Sequence, residues 1–159
     1  MMSDADFMGE ALAEARLAAE AGEVPVGAVA VCGGKIIARA RNRVEAAGDA
    51  TCHAEIELLK LCAQVRGDWR MEDVEIYVTK EPCAMCAGAM VNARVDKVVY
   101  GFSDPRSGCC GSALDITGFE GMLHQVKVQS GVLETECMEQ FKEFFRRVRE
   151  GTLPKAVKR

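Results

Sequence analysis

Four residues in this 159-residue chain have the types and spacing to do chemistry: His53 and Glu55, two apart, and Cys83 and Cys86, three apart. Each pair falls at the start of a candidate helix, Cys52-His53-Ala54-Glu55 for one and Pro82-Cys83-Ala84-Met85-Cys86 for the other. Unpaired N–H groups and the dipole at a helix start lower a thiol's pKa and favour the thiolate. Cysteines three apart project to nearly the same side of one helical turn, so both can bind one ion. One imidazole and two thiolates suit zinc. A structural zinc site normally closes with a fourth protein ligand, but the only other histidine, His124, lies in no ligand spacing. Three ligands leave one position open for water, as catalytic zinc does. Glu55 would stand beside that water as general base and then general acid.

Taken apart, these pieces are ambiguous. A C-x-x-C after a strand and at a helix start is also the thioredoxin layout, so the pair alone leaves redox and metal chemistry equally open. A lone H-x-E is common by chance. Together, each at its own helix start, they resemble the H-x-E…P-C-x-x-C signature of zinc-dependent deaminases.

The elements that must position them follow from patterning. Asp4 to Ala21 is rich in Ala, Leu and Glu and is followed by Gly22, which predicts a helix. Gly27 to Cys32 and Lys35 to Ala40, joined by Gly33-Gly34, predict a β-hairpin. His53 to Gln64 reads as a helix beginning near Thr51, with Ile56, Leu59 and Ala63 at helical spacing. Val74 to Thr79 alternates as a strand, Pro82 suits the opening of a helix over Ala84 to Asn92, and Val95 to Gly101 is another strand. Phe102 to Met122 predicts a functional loop with a short helix inside. Val126 to Val128 is a short strand candidate. The last helix is expected from about Glu134 to Arg149, with Met138, Phe141, Phe145 and Val148 on one face and Gly151 and Pro154 ending it. Strands alternating with helices imply an α/β fold with a mixed five-stranded sheet covered on both faces.

Composition bounds the rest. The length suits one domain over 1–159, including the basic end at 134–159, with no repeat or linker to divide it. With 49% apolar and 28% charged residues the chain can build a core. Its eight cysteines are therefore no disulfide framework, and Cys32, Cys62 and Cys137 read as buried filler. The longest nearly unbroken apolar run, Val24 to Cys32, is too short for a membrane span, which needs roughly 20 residues. The acidic N-terminus has no basic residue before Arg16, so the expected location is the cytoplasm. Net charge is −4, yet Phe141 to the end carries seven basic and two acidic residues. Such an end can bind a polyanion. On charge alone, acidic residues opening a helix and arginines closing it is the favoured, ordinary explanation.

A longer pattern extends the signature. Glu23-Val24-Pro25-Val26-Gly27-Ala28, Asn42, His53-Ala54-Glu55, the run from Glu81-Pro82-Cys83 to Ala89-Met90, Gly108-Cys109-Cys110-Gly111-Ser112, Gly131-Val132-Leu133 and Phe144-Phe145-Arg146 together resemble the bacterial tRNA-specific adenosine deaminase family over about residues 5 to 150. The resemblance implies a cytidine-deaminase-like three-layer α/β/α sandwich, a homodimer, one Zn2+ per subunit, and hydrolysis of adenosine to inosine at the wobble position of a tRNA anticodon. Carried over, it makes His53, Cys83 and Cys86 the zinc ligands and Glu55 the acid/base, with zinc-activated water attacking C6 of adenine. Asn42 would hydrogen-bond the flipped base in a pocket shaped by Val26 and Ala54. Asp104, Arg106 and Ser107 would touch the anticodon backbone, and Phe144, Phe145 and Arg149 would meet the RNA from the last helix. On the helical pattern itself Phe145 reads as core rather than as a base-stacking surface. Three features depart from the family: Leu123 where an asparagine near the pocket is usual, Cys52 before the histidine, and the Cys109-Cys110 pair in place of two small residues.

Three other readings remain. A deaminase of a free nucleobase or nucleoside would use the same zinc site, and the overall acidity and Leu123 favour it. A zinc-stabilised RNA-binding module would not need Glu55. A thiol oxidoreductase would work without metal.

Overall fold

The computed structural model describes residues 1–153; the end of the expected basic tail, with Pro154, Lys155, Lys158 and Arg159, lies outside the described residues. The elements are α1 (Asp4–Glu20), β1 (Gly27–Cys32), β2 (Lys35–Arg41), α2 (Val44–Ala47), α3 (Ala54–Arg66), β3 (Val74–Lys80), α4 (Ala84–Asn92), β4 (Lys97–Phe102), β5 (Lys127–Ser130) and α5 (Glu134–Glu150). The five strands form one mixed sheet in the order β2-β1-β3-β4-β5, antiparallel from β2 through β3 and parallel from β3 to β5.

Alternation along the strands separates two cores. Ala28, Ala30, Ile76, Val78, Val98 and Tyr100 face one side with Leu58 and Cys62 of α3 and Ala87, Met90 and Val91 of α4. Val29, Val31, Tyr77 and Val99 face the other with Phe7, Met8 and Ala11 of α1 and Cys137 of α5. The period-2 pattern of each strand thus supplies both halves of a three-layer sandwich. Gly33 and Gly34 have φ of 58° and 77°, the left-handed pair that a two-residue hairpin turn needs. Ser3 opens α1 with a capping box to Asp6.

Several boundaries differ from the sequence reading. Cys83, not Pro82, is the N-cap of α4, and Pro82 precedes the cap; α3 begins at Ala54 with His53 as its N-cap, not near Thr51. The long loop after β4 contains turns and an isolated bridge between Cys110 and Asp115 in place of the expected short helix. A one-turn helix, α2, was not anticipated. On α5, Val148 in the last turn is exposed, Cys137 and Phe144 are buried, and Met138 and Phe141 pack half-buried against the core. Cys62 and Cys137 are buried as filler, whereas Cys32 is only half-buried beside Asp73 and Arg66. No helix among the described residues is long and apolar enough to cross a membrane.

Helix α1 packs directly against the backbone of β1. A Cβ on Gly27 would sit 2.1 Å from the Ala11 carbonyl oxygen and 2.4 Å from the Ala15 amide nitrogen. Backbone atoms of a helix cannot move aside individually, so Gly27→Ala is expected to destabilise the protein by about 2–4 kcal/mol. Urea unfolding checks this; an unchanged midpoint would mean that α1 shifts freely on the sheet.

Candidate active site

The site forms where α3 and α4 begin, at the end of β3. His53 arrives there through a turn in which Asp49 Oδ1 accepts from the Thr51 amide (2.8 Å) and hydroxyl (2.7 Å), while the Cys52 carbonyl accepts from the Arg43 N–H at 3.0 Å. The strand–turn–helix passage Lys80 to Ala84 delivers Cys83 as the cap of α4 and Cys86, fully buried, one turn further. Local patterning places each helix start; the sheet brings the two together.

His53 Nδ1 lies 3.6 Å from Cys83 Sγ and 3.6 Å from Cys86 Sγ. All three ligand atoms fall within 4.8 Å of one another. One ring nitrogen equidistant from two sulfurs is poor hydrogen-bond geometry but matches the edge of a tetrahedron: zinc bond lengths put ligand N and S about 3.6 Å apart. The donor set and its spacing therefore fit a zinc ion. The Cys83 thiol is pushed down to about 5, chiefly by the Cys86 thiol beside it and by the backbone N–H groups of Cys86 and Met85, with His53 contributing and burial working against the shift. A readily ionised thiol at a helix start is what a metal ligand requires.

Glu55, in the first turn of α3, is 4% exposed, and burial raises its pKa above the ordinary carboxyl range, with Cys83 adding to the shift. A carboxyl so placed takes and returns a proton readily. It lies with His53, Ala54 and Cys83 in a cavity of about 610 Å³, large enough for a purine nucleoside. Val26, Asn42 and Phe144 line the same cavity. The Asn42 amide donates to the Val24 carbonyl at 3.2 Å, and its Oδ1 accepts from the Val44 N–H at 3.3 Å. That fixes its orientation and leaves one donor and one acceptor position for a ligand.

The other expected contact residues do not line the cavity. Arg106, Ser107 and Arg149 are exposed outside it, and Phe145 is half-buried in an aromatic row with Phe141 (5.0 Å between centroids) and Phe144 (5.2 Å). Asp104 is held well below the usual carboxylate range: burial opposes its charge, but Lys80 at 2.8 Å, Ser107 and the Arg106 amide outweigh it. Leu123 is 79% exposed and also lies off the cavity. The Cys109-Cys110 pair is core filling, buried against the α3/α4 side of the sheet.

Among the further lining residues are Glu23, Lys80 and Glu81, to which the sequence attached no individual role, and Phe141, expected only on the packing face of the last helix. Glu23 is buried and accepts from the Glu45 and Ala46 amides, both at 2.8 Å, so it caps α2 across 22 residues of chain. Nothing local marks such a distant cap.

A three-layer α/β/α sheet with a His/Cys/Cys cluster and a buried glutamate at one cavity defines a hydrolytic deaminase, and the model of the MafB19-like deaminase family matches residues 2–149. The tRNA-specific adenosine deaminase of Bacillus subtilis (strain 168) is 47% identical over 149 residues, which is 94% of this chain and 92% of that protein. The chain belongs to the tRNA-specific adenosine deaminase family. A solved structure from work on A-to-I editing by tRNA:A34 deaminases at the wobble position superposes with a TM-score of 0.82 at 41% identity, covering 84% of this chain and 97% of that one. A Bacillus subtilis guanine deaminase structure is also similar, at 36% identity and a TM-score of 0.61 over 64% of this chain and 66% of that one.

Proposed function

We propose that this protein hydrolyses adenosine to inosine at the wobble position of a tRNA anticodon. The observation that carries the chemistry is that His53, Cys83 and buried Glu55 line one nucleoside-sized cavity, with Cys86 completing the ligand cluster behind its wall. The near full-length identity to a tRNA-specific adenosine deaminase supports the substrate. His53, Cys83 and Cys86 would hold one zinc ion per subunit. Bound there, zinc acts as a Lewis acid that makes water nucleophilic at neutral pH. Asn42 orients the base by its free amide positions, with Val26 and the Ala54 backbone shaping the pocket around it. Glu55 takes a proton from the attacking water and hands it to N1 of adenine. It then transfers the second proton to the exocyclic nitrogen, and ammonia leaves as C6 becomes a carbonyl. Phe144 bounds the cavity toward the RNA, while Asp104, Arg106 and Ser107 on the loop, with Phe145 and Arg149 on α5, form the outer contact. An anticodon loop is single-stranded, so presenting its base costs less than extracting one from a duplex.

The protein is proposed to act in the cytoplasm as a homodimer.

The likeness to a guanine deaminase and the net charge of −4 favour a second reading, deamination of a free purine. Zinc-loaded protein is therefore given an anticodon stem-loop with adenosine at the wobble position and, separately, guanine, cytosine and adenosine. Inosine in the RNA without ammonia from the small substrates is the expected result. Ammonia from a free base with the RNA untouched would overturn the substrate and keep the chemistry.

A further inference from the structure

The cavity has a wall that the metal cluster does not explain. Glu81, at the junction of β3 and Pro82, is 1% exposed, and its two carboxyl oxygens act purely as acceptors. Oε1 accepts from the Asp104 N–H at 3.0 Å and the Ser112 hydroxyl at 2.5 Å; Oε2 accepts from the Cys110 N–H at 3.0 Å and the Ser112 N–H at 3.2 Å. A carboxylate has about four lone-pair positions, and all are filled here. Every donor comes from residues 104–112. That leaves no position on Glu81 for substrate, so its role is exerted through the loop.

Two further contacts bind the same loop to the same place. The Cys109 N–H donates to the Pro82 carbonyl at 2.8 Å, and Lys80 pairs with Asp104 at 2.8 Å. Gly108 lies flat against the carboxyl: a Cβ there would stand 2.3 Å from Glu81 Cδ and 2.4 Å from Oε1. Three consecutive residues, Lys80 to Pro82, thus grip the loop immediately before Cys83 enters the metal cluster. Burying a carboxylate without a cation of its own is costly, and neutral donors offset that only if all its acceptor sites are met, as they are.

We propose that Glu81 is a positioning residue that locks loop 104–112 to the start of the metal-binding helix and so sets where Asp104, Arg106 and Ser107 meet the anticodon. This rests on the RNA reading above. With the clamp released, the loop loses its register on α4, and RNA binding suffers before the chemical step does.

The test uses the full-length, zinc-loaded protein and the wobble-adenosine stem-loop, with KM and kcat from inosine formation, Kd from fluorescence anisotropy, and zinc content. Glu81→Gln turns two acceptor positions into donors that face the loop's own N–H or O–H donors; KM and Kd are expected to rise about tenfold or more, with kcat within about threefold and zinc unchanged. Ser112→Ala, at an exposed position where folding is not at risk, removes one donor and is expected to raise KM about threefold. Gly108→Ala pushes the loop off the carboxyl from the opposite side, so combining it with Glu81→Gln should cost little more than either alone. Unchanged KM and Kd in Glu81→Gln and Ser112→Ala would overturn the proposal, as would a fall in kcat that follows zinc loss at constant KM. Inosine from the wild type with KM and Kd unchanged in the variants sinks this inference alone; no inosine from the wild type sinks the substrate reading.

Discussion

Glu55→Gln is expected to lower kcat by about 10³–10⁴-fold while zinc stays bound and the fold is unchanged. The side chain is buried in the first turn of α3, and the substitution keeps its shape. Glutamine keeps the volume and hydrogen-bonding capacity of the side chain, so stability should move by about 1 kcal/mol at most. What is lost is a group that can accept a proton and release it twice per turnover. Of the other buried carboxyls at the cavity, Glu81 has its acceptor positions occupied by the loop and Glu23 is held by the Glu45 and Ala46 amides, so neither substitutes. Single-turnover inosine formation alongside metal analysis checks this. Activity within tenfold of wild type would mean that another group moves the protons, and would return the RNA-binding module to contention.

Cys86→Ser is expected to do the opposite: zinc is lost, and activity falls to background with it. Cys86 is fully buried in α4, with its sulfur 3.6 Å from His53 Nδ1. Serine is a poor zinc ligand, and taking one of three protein ligands should weaken binding by well over the roughly 100-fold typical of disturbing a supporting shell. The melting temperature should fall as well, because metal affinity is also folding free energy. Cys62→Ser, in the apolar layer below, is the control: it should cost stability without releasing zinc. Removing zinc from the wild type with a chelator should abolish turnover, and adding zinc back should restore it. Activity that persists in chelator and depends on Cys83 would establish the thiol oxidoreductase instead.

Much of this molecule is legible locally. The hairpin rests on two glycines that tolerate φ near 60–80°, and each strand's alternation predicts two covered faces. The ligand set is legible because a thiolate pair three apart at a helix start, with a histidine and glutamate at another, is a pattern that few chemistries require. Chain length and apolar content imply enough apolar side chains to cover both faces of the sheet.

Only the tertiary structure decided how those parts meet. That His53 lands 3.6 Å from both sulfurs depends on β3 lying between β1 and β4, a pairing no local periodicity encodes. Phe144 rather than Phe145 lines the cavity, a choice between adjacent residues that the helical repeat leaves open, since both are one turn from Phe141. Leu123 lies away from the cavity, and Glu81 and Glu23 reach amides more than 20 residues distant. Propensity and pattern are short-range; the return of a loop onto a buried carboxyl is settled by which groups the finished core leaves to be satisfied.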